Sequence, residues 1–182
     1  MASFLQLKGA CTKQFGEIGA WVFDEWEKLN ETLFDGKIIA GPIVWGKTPE
    51  DRSIGYYLSE ENLIHLHTTL VRPLYPKPMA KWDISNLNKK FAGDVLLHEM
   101  IHQMIHQTGG WEGATTHNNK RFVGEINRIA ELIGLGVEAR VIKQKEVDGR
   151  LKWHVEPGCM TYKEMSEFPY SSRPNDYYFK EP

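Results

Sequence analysis

The chain has 182 residues, of which 41% are hydrophobic and 25% are charged, values that favour one ordinary globular core and exclude disordered and fibrous proteins. Its 22 Lys and Arg residues against 24 Asp and Glu residues give a formal net charge of -2, which excludes the strongly basic surface of many nucleic-acid-binding proteins. Two cysteines, Cys11 and Cys159, exclude a disulfide framework and a four-cysteine zinc ribbon.

The first predicted element is an amphipathic helix over Thr12 to Phe34. Its apolar residues recur at steps of three and four, Thr12 is suited to cap its start, and Gly36 follows its end. No basic segment followed by a long apolar run precedes it, so we expect no signal peptide. No run approaches the roughly 18 apolar residues of a membrane span. The sequence therefore predicts an intracellular, cytoplasmic protein with reduced thiols and no membrane partner.

Three short runs of β-prone residues follow this helix and predict a small sheet. They are separated by Gly, Pro, Asp and Asn residues, which are typical of turns. Three prolines between Val71 and Asp83 exclude a regular helix there, so we expect a connecting loop. The predicted strands are Ile43–Trp45, Ile54–Leu58 and Leu63–His67.

Two histidines, His65 and His67, lie on the third predicted strand. They alternate with Ile64 and Leu66, so both are predicted to face the opposite side of the sheet from those apolar residues. We expect ordinary half-buried strand positions, with a cleft or a second ion as the alternative.

Two more helices are predicted in the middle of the chain. The first runs from about Asn86 to Gln107 with a broad apolar stripe, and Gly109-Gly110 ends it. After a loop, Thr116 is a good N-cap for the second helix, over His117 to Ile133. Helices and a separate small sheet together predict the α+β class.

The C-terminal part is predicted to be a β-hairpin and a tail. Val137–Val147 and Leu151–Val155 flank Asp148-Gly149, a strong signal for a two-residue turn. Residues 140–152 hold five basic and two acidic side chains, a net charge of +3, which predicts a solvated ribbon or, alternatively, a nucleic-acid contact. We therefore divide the chain into a core at residues 1–136 and a hairpin and tail at 137–182, packed on the core.

The motif His98-Glu99-Met100-Ile101-His102 carries the functional prediction. Residues four apart on a helix are separated by about 6 Å of rise and about 40° of rotation, so His98 and His102 can reach one metal ion. Glu99 lies about 100° round from His98, where a carboxylate can take the proton of a metal-bound water. The spacing therefore predicts catalysis by one Zn²⁺ ion, with Glu99 as the general base.

A catalytic zinc site usually needs a third protein ligand and leaves the fourth position to water. His106 lies about 12 Å along the helix axis from His98, too far to close a compact site, so we expect a polar helix-end residue instead. His117 at the start of the next helix and Glu125 two turns further along it both remain as candidates.

The segments Leu97–Gln103 and His117–Phe122 resemble the SprT-like zinc metallopeptidases, which include the Spartan-type proteases. In that family an HExxH helix is followed, after a variable loop, by a histidine and then a phenylalanine. The resemblance implies His117, not Glu125, as the third zinc ligand. It spans about residues 12–134, and the upstream segments that match the family are Asn30–Ile38, Gly55–Tyr57 and Ile64–Leu66.

The resemblance also implies a zincin-like fold and hydrolysis of peptide bonds in a protein or peptide substrate. We expect the first helix and the sheet to pack on the HExxH helix, and the sheet edge could hold an extended substrate by strand addition. Many family members carry a C-terminal zinc ribbon, but this chain has only Cys159 in that region, so it resembles a minimal form. The Spartan likeness suggests DNA-associated proteins as substrates, in DNA–protein crosslink repair, with DNA as a further partner. The alternatives are a non-proteolytic metal-containing module that binds nucleic acid or protein, and a structural zinc protein.

Overall fold

A computed structural model of the chain describes residues 2–47, 54–71, 82–109 and 120–133, and two strands at 143–147 and 150–154. The described part is an α+β fold with four helices and a small three-stranded sheet, which confirms the predicted class. The predicted cap Thr116, the predicted ligand His117, most of the proline-containing loop and the tail lie outside the described residues. The elements are α1 (Phe4–Phe15), α2 (Glu17–Leu33), β1 (Ile43–Gly46), β2 (Gly55–Leu58), β3 (Leu63–His67), α3 (Lys89–Gln107), α4 (Lys120–Leu132), β4 (Lys143–Val147) and β5 (Arg150–His154).

The predicted N-terminal helix is in fact two helices, and its predicted start was wrong. Helix α1 begins after Ser3, whose side chain accepts from the Gln6 N–H while the Gln6 side chain accepts from the Ser3 N–H, a capping box. Thr12 lies inside α1 and donates its hydroxyl proton to the Lys8 carbonyl at 2.8 Å. Gly16, with φ 63°, separates α1 from α2, because a residue without a Cβ adopts positive φ at little cost.

The three predicted strands form one sheet in the order β1-β3-β2. Strand β1 pairs with β3 in parallel, and β2 pairs with β3 in antiparallel register with Tyr57 opposite Ile64. Strand β2 is thus an edge of this sheet. The alternation of the strands sends one set of side chains into the core, namely Ile43, Trp45, Tyr57, Ile64 and Leu66.

Helix α3 is the longest described helix and packs against both β2 and β3. Asn88 caps it by accepting from the Phe91 N–H at 3.2 Å, so the helix begins slightly later than predicted, after a short 3₁₀ turn at Ile84–Asn86. Its predicted apolar stripe is confirmed, since Phe91, Val95, Leu96 and Met100 are buried. In the described part of the chain, no helix combines the length and the apolar character needed to cross a membrane.

The two C-terminal strands pair in antiparallel register, from Lys143 opposite His154 to Val147 opposite Arg150. Residues 148 and 149, between them, lie outside the described residues. The hairpin turn and the packing of this region on the core therefore stay predictions, as does the division of the chain at residue 136.

Cys11 is buried between α1 and the sheet, where its Sγ donates to the Ile43 carbonyl at 3.3 Å. Burial raises the pKa of the thiol to about 12. Because the thiolate is the reactive form, we expect Cys11 of a Cys159→Ser variant to react with iodoacetamide at pH 8 at least about 100-fold more slowly in the folded protein than in urea. Mass spectrometry of timed samples measures both rates. Equal rates would contradict the burial of this thiol.

Candidate active site

Helix α3 presents two neighbouring faces, and each carries part of the predicted site. His98 and His102 are one turn apart on one face. Glu99 and His106 are seven residues apart, about two turns, and share the adjacent face with Gln103. The first face meets α4, and the second meets β2. The HExxH motif is therefore helical, as predicted.

Both motif histidines pack against the same aromatic ring, that of Phe122. The His98 and His102 ring centroids are 5.1 Å apart. The ring of Phe122, which is fully buried at the start of α4, lies 5.2 Å from the His98 ring and 4.5 Å from the His102 ring. Arg121 joins the same end of α4 to α3, donating to the Thr108 hydroxyl at 3.1 Å. Phe122 thus limits the space that the two imidazoles can occupy.

The Glu99 side chain lies against the edge strand β2. Only 5% of the residue is exposed. Gly55 of β2 leaves the space for it, because an ideal Cβ at that position would lie 3.0 Å from Glu99 Oε1 and 2.6 Å from Val95 Cγ1. Burial raises the pKa of Glu99 to about 8, and a hydrogen bond from the Tyr57 backbone N–H acts in the opposite direction. A carboxyl group in this environment can accept and release a proton near neutral pH.

Sequence reasoning missed the polar cluster beyond Glu99 on the same face of α3. The buried Tyr57 hydroxyl lies 3.0 Å from Asn62 Oδ1 and 2.8 Å from His106 Nδ1. Gln103 and Gln107 each donate to Asn62 Oδ1 at 2.9 Å. The spacing of Gln103 and His106 from Glu99, four and seven residues, was the available signal. His106 lies in the last turn of α3, as predicted, and its ring also lies against that of Tyr57.

Glu125, the rival third ligand, has a partner of its own. Its carboxylate accepts from Arg128 Nε at 2.8 Å, and Arg128 also donates to the Leu33 carbonyl at 2.6 Å. Within the described ranges, no three His, Cys, Asp or Glu side chains are grouped so that they could hold a metal ion. The described residues therefore supply the pair His98 and His102, and His117 cannot be located because it lies outside them.

The pair would supply two of the three protein ligands of a catalytic zinc site. Two imidazoles one turn apart on one helix face are donors that zinc prefers, and the packing of both rings on Phe122 restricts their orientation. A buried carboxyl group follows on the neighbouring face. The arrangement suits a metal ion that prefers nitrogen ligands, such as Zn²⁺, beside a group that can accept a proton. The third protein ligand would lie outside the described residues.

His65 and His67 take no part in this arrangement. The His65 ring is half-buried, as predicted, and its Nδ1 lies 2.7 Å from the Tyr56 hydroxyl. Burial lowers the pKa of His65, and so does the charge of His67. His67 is buried more than predicted, with Nδ1 accepting from the Thr69 N–H at 3.1 Å. Both lie on the face of β3 opposite Ile64 and Leu66, as expected from the alternation.

Comparisons with known proteins return no relative: no protein-family model matches the chain, no curated protein is similar to it, and no solved structure resembles it. What the chain does must therefore be inferred from α3 and its neighbours and from the resemblance of its motifs.

Proposed function

We propose that this protein is a zinc-dependent metallopeptidase of the SprT-like kind, in a minimal form without a zinc ribbon. The observation that carries the proposal is the pairing of His98 and His102 on one face of α3 while Glu99 is buried on the adjacent face. Packing of the sheet on α3, with β2 at its edge, supports a zincin-like arrangement. A chance HExxH sequence would not require either feature.

His98, His102 and His117 would hold one Zn²⁺ ion. Support for His117 comes from Phe122, which lies five residues further along the chain and contacts both motif histidines. The salt bridge between Glu125 and Arg128 is a reason to prefer His117 to Glu125. When bound, zinc polarises the scissile carbonyl group and lowers the pKa of water.

Glu99 then acts as the base. One of its carboxylate oxygens takes a proton from the attacking water, and the same group passes that proton to the leaving amine. The Tyr57 N–H donates to the carboxylate, and Glu99 is buried beside Gly55. Strand β2 lies at the edge of the described sheet, where an extended peptide could bind by strand addition. Peptide-bond hydrolysis is thus the reaction that these groups serve best.

Action on DNA-associated proteins, with DNA as a second partner and an intracellular location, follows from the Spartan likeness alone. A non-proteolytic module would bind DNA or protein without hydrolysis, and a structural zinc protein would hold zinc with four protein ligands. Neither rival function includes peptide hydrolysis, so measured hydrolysis distinguishes both from the proposed one.

The decisive test measures zinc content and casein cleavage together. We expect about one zinc ion per chain, cleavage that a chelator abolishes and added Zn²⁺ restores, and loss of both zinc and cleavage in His102→Ala. Elemental analysis and a fluorescent casein assay provide the two readouts. Zinc without any cleavage by the wild-type protein, on casein or on DNA-bound protein, would favour the rival functions.

The third ligand is tested by the same measurements on two further variants. His117→Ala should lose zinc, whereas Glu125→Ala should keep it and lose only its ion pair with Arg128. The reverse result would make Glu125 the ligand and would remove the main support for the SprT-like assignment.

A further inference from the structure

Tyr57 contacts α3 at two positions along the helix, Glu99 and His106. Its backbone N–H donates to the Glu99 carboxylate, and its side-chain hydroxyl lies 2.8 Å from His106 Nδ1. Glu99 and His106 are seven residues apart, so their Cα atoms are separated by about 10 Å along the helix axis. A single residue of the edge strand thus spans two turns of the helix that carries the proposed base.

The two hydroxyl contacts of Tyr57 define which groups donate. Asn62 Oδ1 can only accept, so the Tyr57 O–H donates its single proton to that oxygen at 3.0 Å. The Tyr57 oxygen can then accept from His106 Nδ1 in the imidazole tautomer that carries its proton on that nitrogen. Burial raises the pKa of Tyr57 to about 12, so the phenol keeps its proton at neutral pH.

Asn62, the other anchor of the hydroxyl, is itself held from several sides. Its Oδ1 accepts from Gln103 Nε2 and Gln107 Nε2, each at 2.9 Å, and its Nδ2 donates to the Ile39 carbonyl at 3.2 Å. Gln103 accepts in turn from Trp26 Nε1 at 3.1 Å, which connects the cluster to α2. Such a network leaves little freedom for the Tyr57 ring, since every shift breaks more than one bond.

We propose that Tyr57, held at its hydroxyl by His106 and Asn62, is a positioning residue that fixes strand β2 against α3 and thereby directs the Glu99 carboxylate. This inference rests on the proposed function of Glu99. His106 accordingly helps to position Glu99 without binding the metal, because it holds Tyr57 of strand β2 in place. Because a displacement of about 1 Å can cost about 100-fold in rate, loss of this anchor is expected to lower kcat more than it raises KM.

Four substitutions test the proposal. Tyr57→Phe removes the hydroxyl, and His106→Leu removes its donor. His106→Asn keeps a hydrogen-bond donor near the position of Nδ1 and should restore the activity that His106→Leu loses. Tyr56→Phe is the matched control, because Tyr56 is the next residue of the same strand and its hydroxyl also contacts a histidine Nδ1, that of His65, at 2.7 Å.

We expect kcat for casein cleavage to fall about 10- to 100-fold in Tyr57→Phe and His106→Leu, with unchanged zinc content, and to recover in His106→Asn. Activity is measured well below each variant's melting temperature, so that unfolding does not contribute. A fall in kcat of the same size in Tyr56→Phe, or no fall in Tyr57→Phe, would overturn the positioning role.

A second readout needs no catalysis. In zinc-free protein, Glu99→Gln changes the acceptor of the residue 57 N–H and should move its amide proton resonance. The change in the residue 57 amide resonance should be smaller in a protein that also carries His106→Leu, and it should be undiminished in one that also carries Tyr56→Phe. An undiminished response with His106→Leu would overturn the proposal. If the wild-type protein hydrolyses nothing, this arm still measures whether the anchor directs Glu99, so failure of the proposed function is distinguished from failure of the positioning role.

Discussion

Glu99→Gln should keep zinc at about one ion per chain and lower kcat for peptide hydrolysis by at least about 10³-fold, because an amide cannot take the proton from water. Gln has the same length as Glu, and its carbonyl oxygen can still accept from the Tyr57 N–H. The Gln side chain should therefore occupy the same buried space beside Gly55. Elemental analysis and steady-state kinetics on the same preparation give the two quantities.

The fold of the Glu99→Gln variant is checked by its stability without zinc. The folded-state pKa of Glu99 is raised from 4.5 to about 8. Its favourable contribution to the free energy of unfolding is therefore fully present below pH 4.5 and is lost as the pH rises through 8. Gln does not titrate, and the variant should gain stability relative to wild type between pH 5 and pH 8. Glu131→Gln on α4, an exposed position, is the control for both measurements. Full hydrolysis by zinc-loaded Glu99→Gln would refute the mechanism.

Gly55→Ala should impair both packing and activity. The added Cβ would lie 2.6 Å from Val95 Cγ1 and 3.0 Å from Glu99 Oε1, and a valine on a helix has little rotamer freedom to move aside. Strand β2 must therefore shift away from α3, or Glu99 must turn. We expect a loss of about 1–3 kcal/mol in the free energy of unfolding, typical of an overpacked core, and about a 100-fold loss in kcat.

Two controls separate these effects in Gly55→Ala. Gly124→Ala makes the same change at an exposed position inside α4, where an added Cβ has no neighbour within 4 Å. It should leave kcat unchanged and raise the free energy of unfolding by about 0.5–1 kcal/mol, because Ala favours a helix over Gly. Adding Val95→Ala to Gly55→Ala removes the shortest contact and should recover part of the lost rate. Urea denaturation and casein kinetics provide the measurements. Wild-type activity in Gly55→Ala would show that the space beside Glu99 has no catalytic importance.

The elements with strong local signals could be predicted from the sequence. Short runs of β-prone residues between turn residues identified the three strands, and the apolar stripe of α3 placed His98, Glu99 and His102 on a helix. Their periodicity is a direct consequence of which side faces the core. The break at Gly16 was not predicted, because a glycine inside an otherwise helical pattern is compatible with both a continuous helix and a turn.

The surroundings of Glu99 could not be predicted, since they depend on pairing between distant parts of the chain. Gly55, Tyr57 and Asn62 reach α3 only because β2 pairs with β3 in one register. A shift of one residue would turn Tyr57 to the other face of the sheet. Sequence spacing could place His106 on the same helix face as Glu99, but the tyrosine it contacts comes from 49 residues earlier in the chain.

The dependence of both motif histidines on Phe122 has a consequence during protein synthesis. A nascent chain that ends before α4 already contains the whole HExxH helix and its β2 neighbours, but lacks the ring that packs on His98 and His102. We therefore expect ribosome-bound chains of this length to bind zinc weakly and to cleave nothing. Proteolytic competence would arise late in translation, after the rest of the core has had the opportunity to fold.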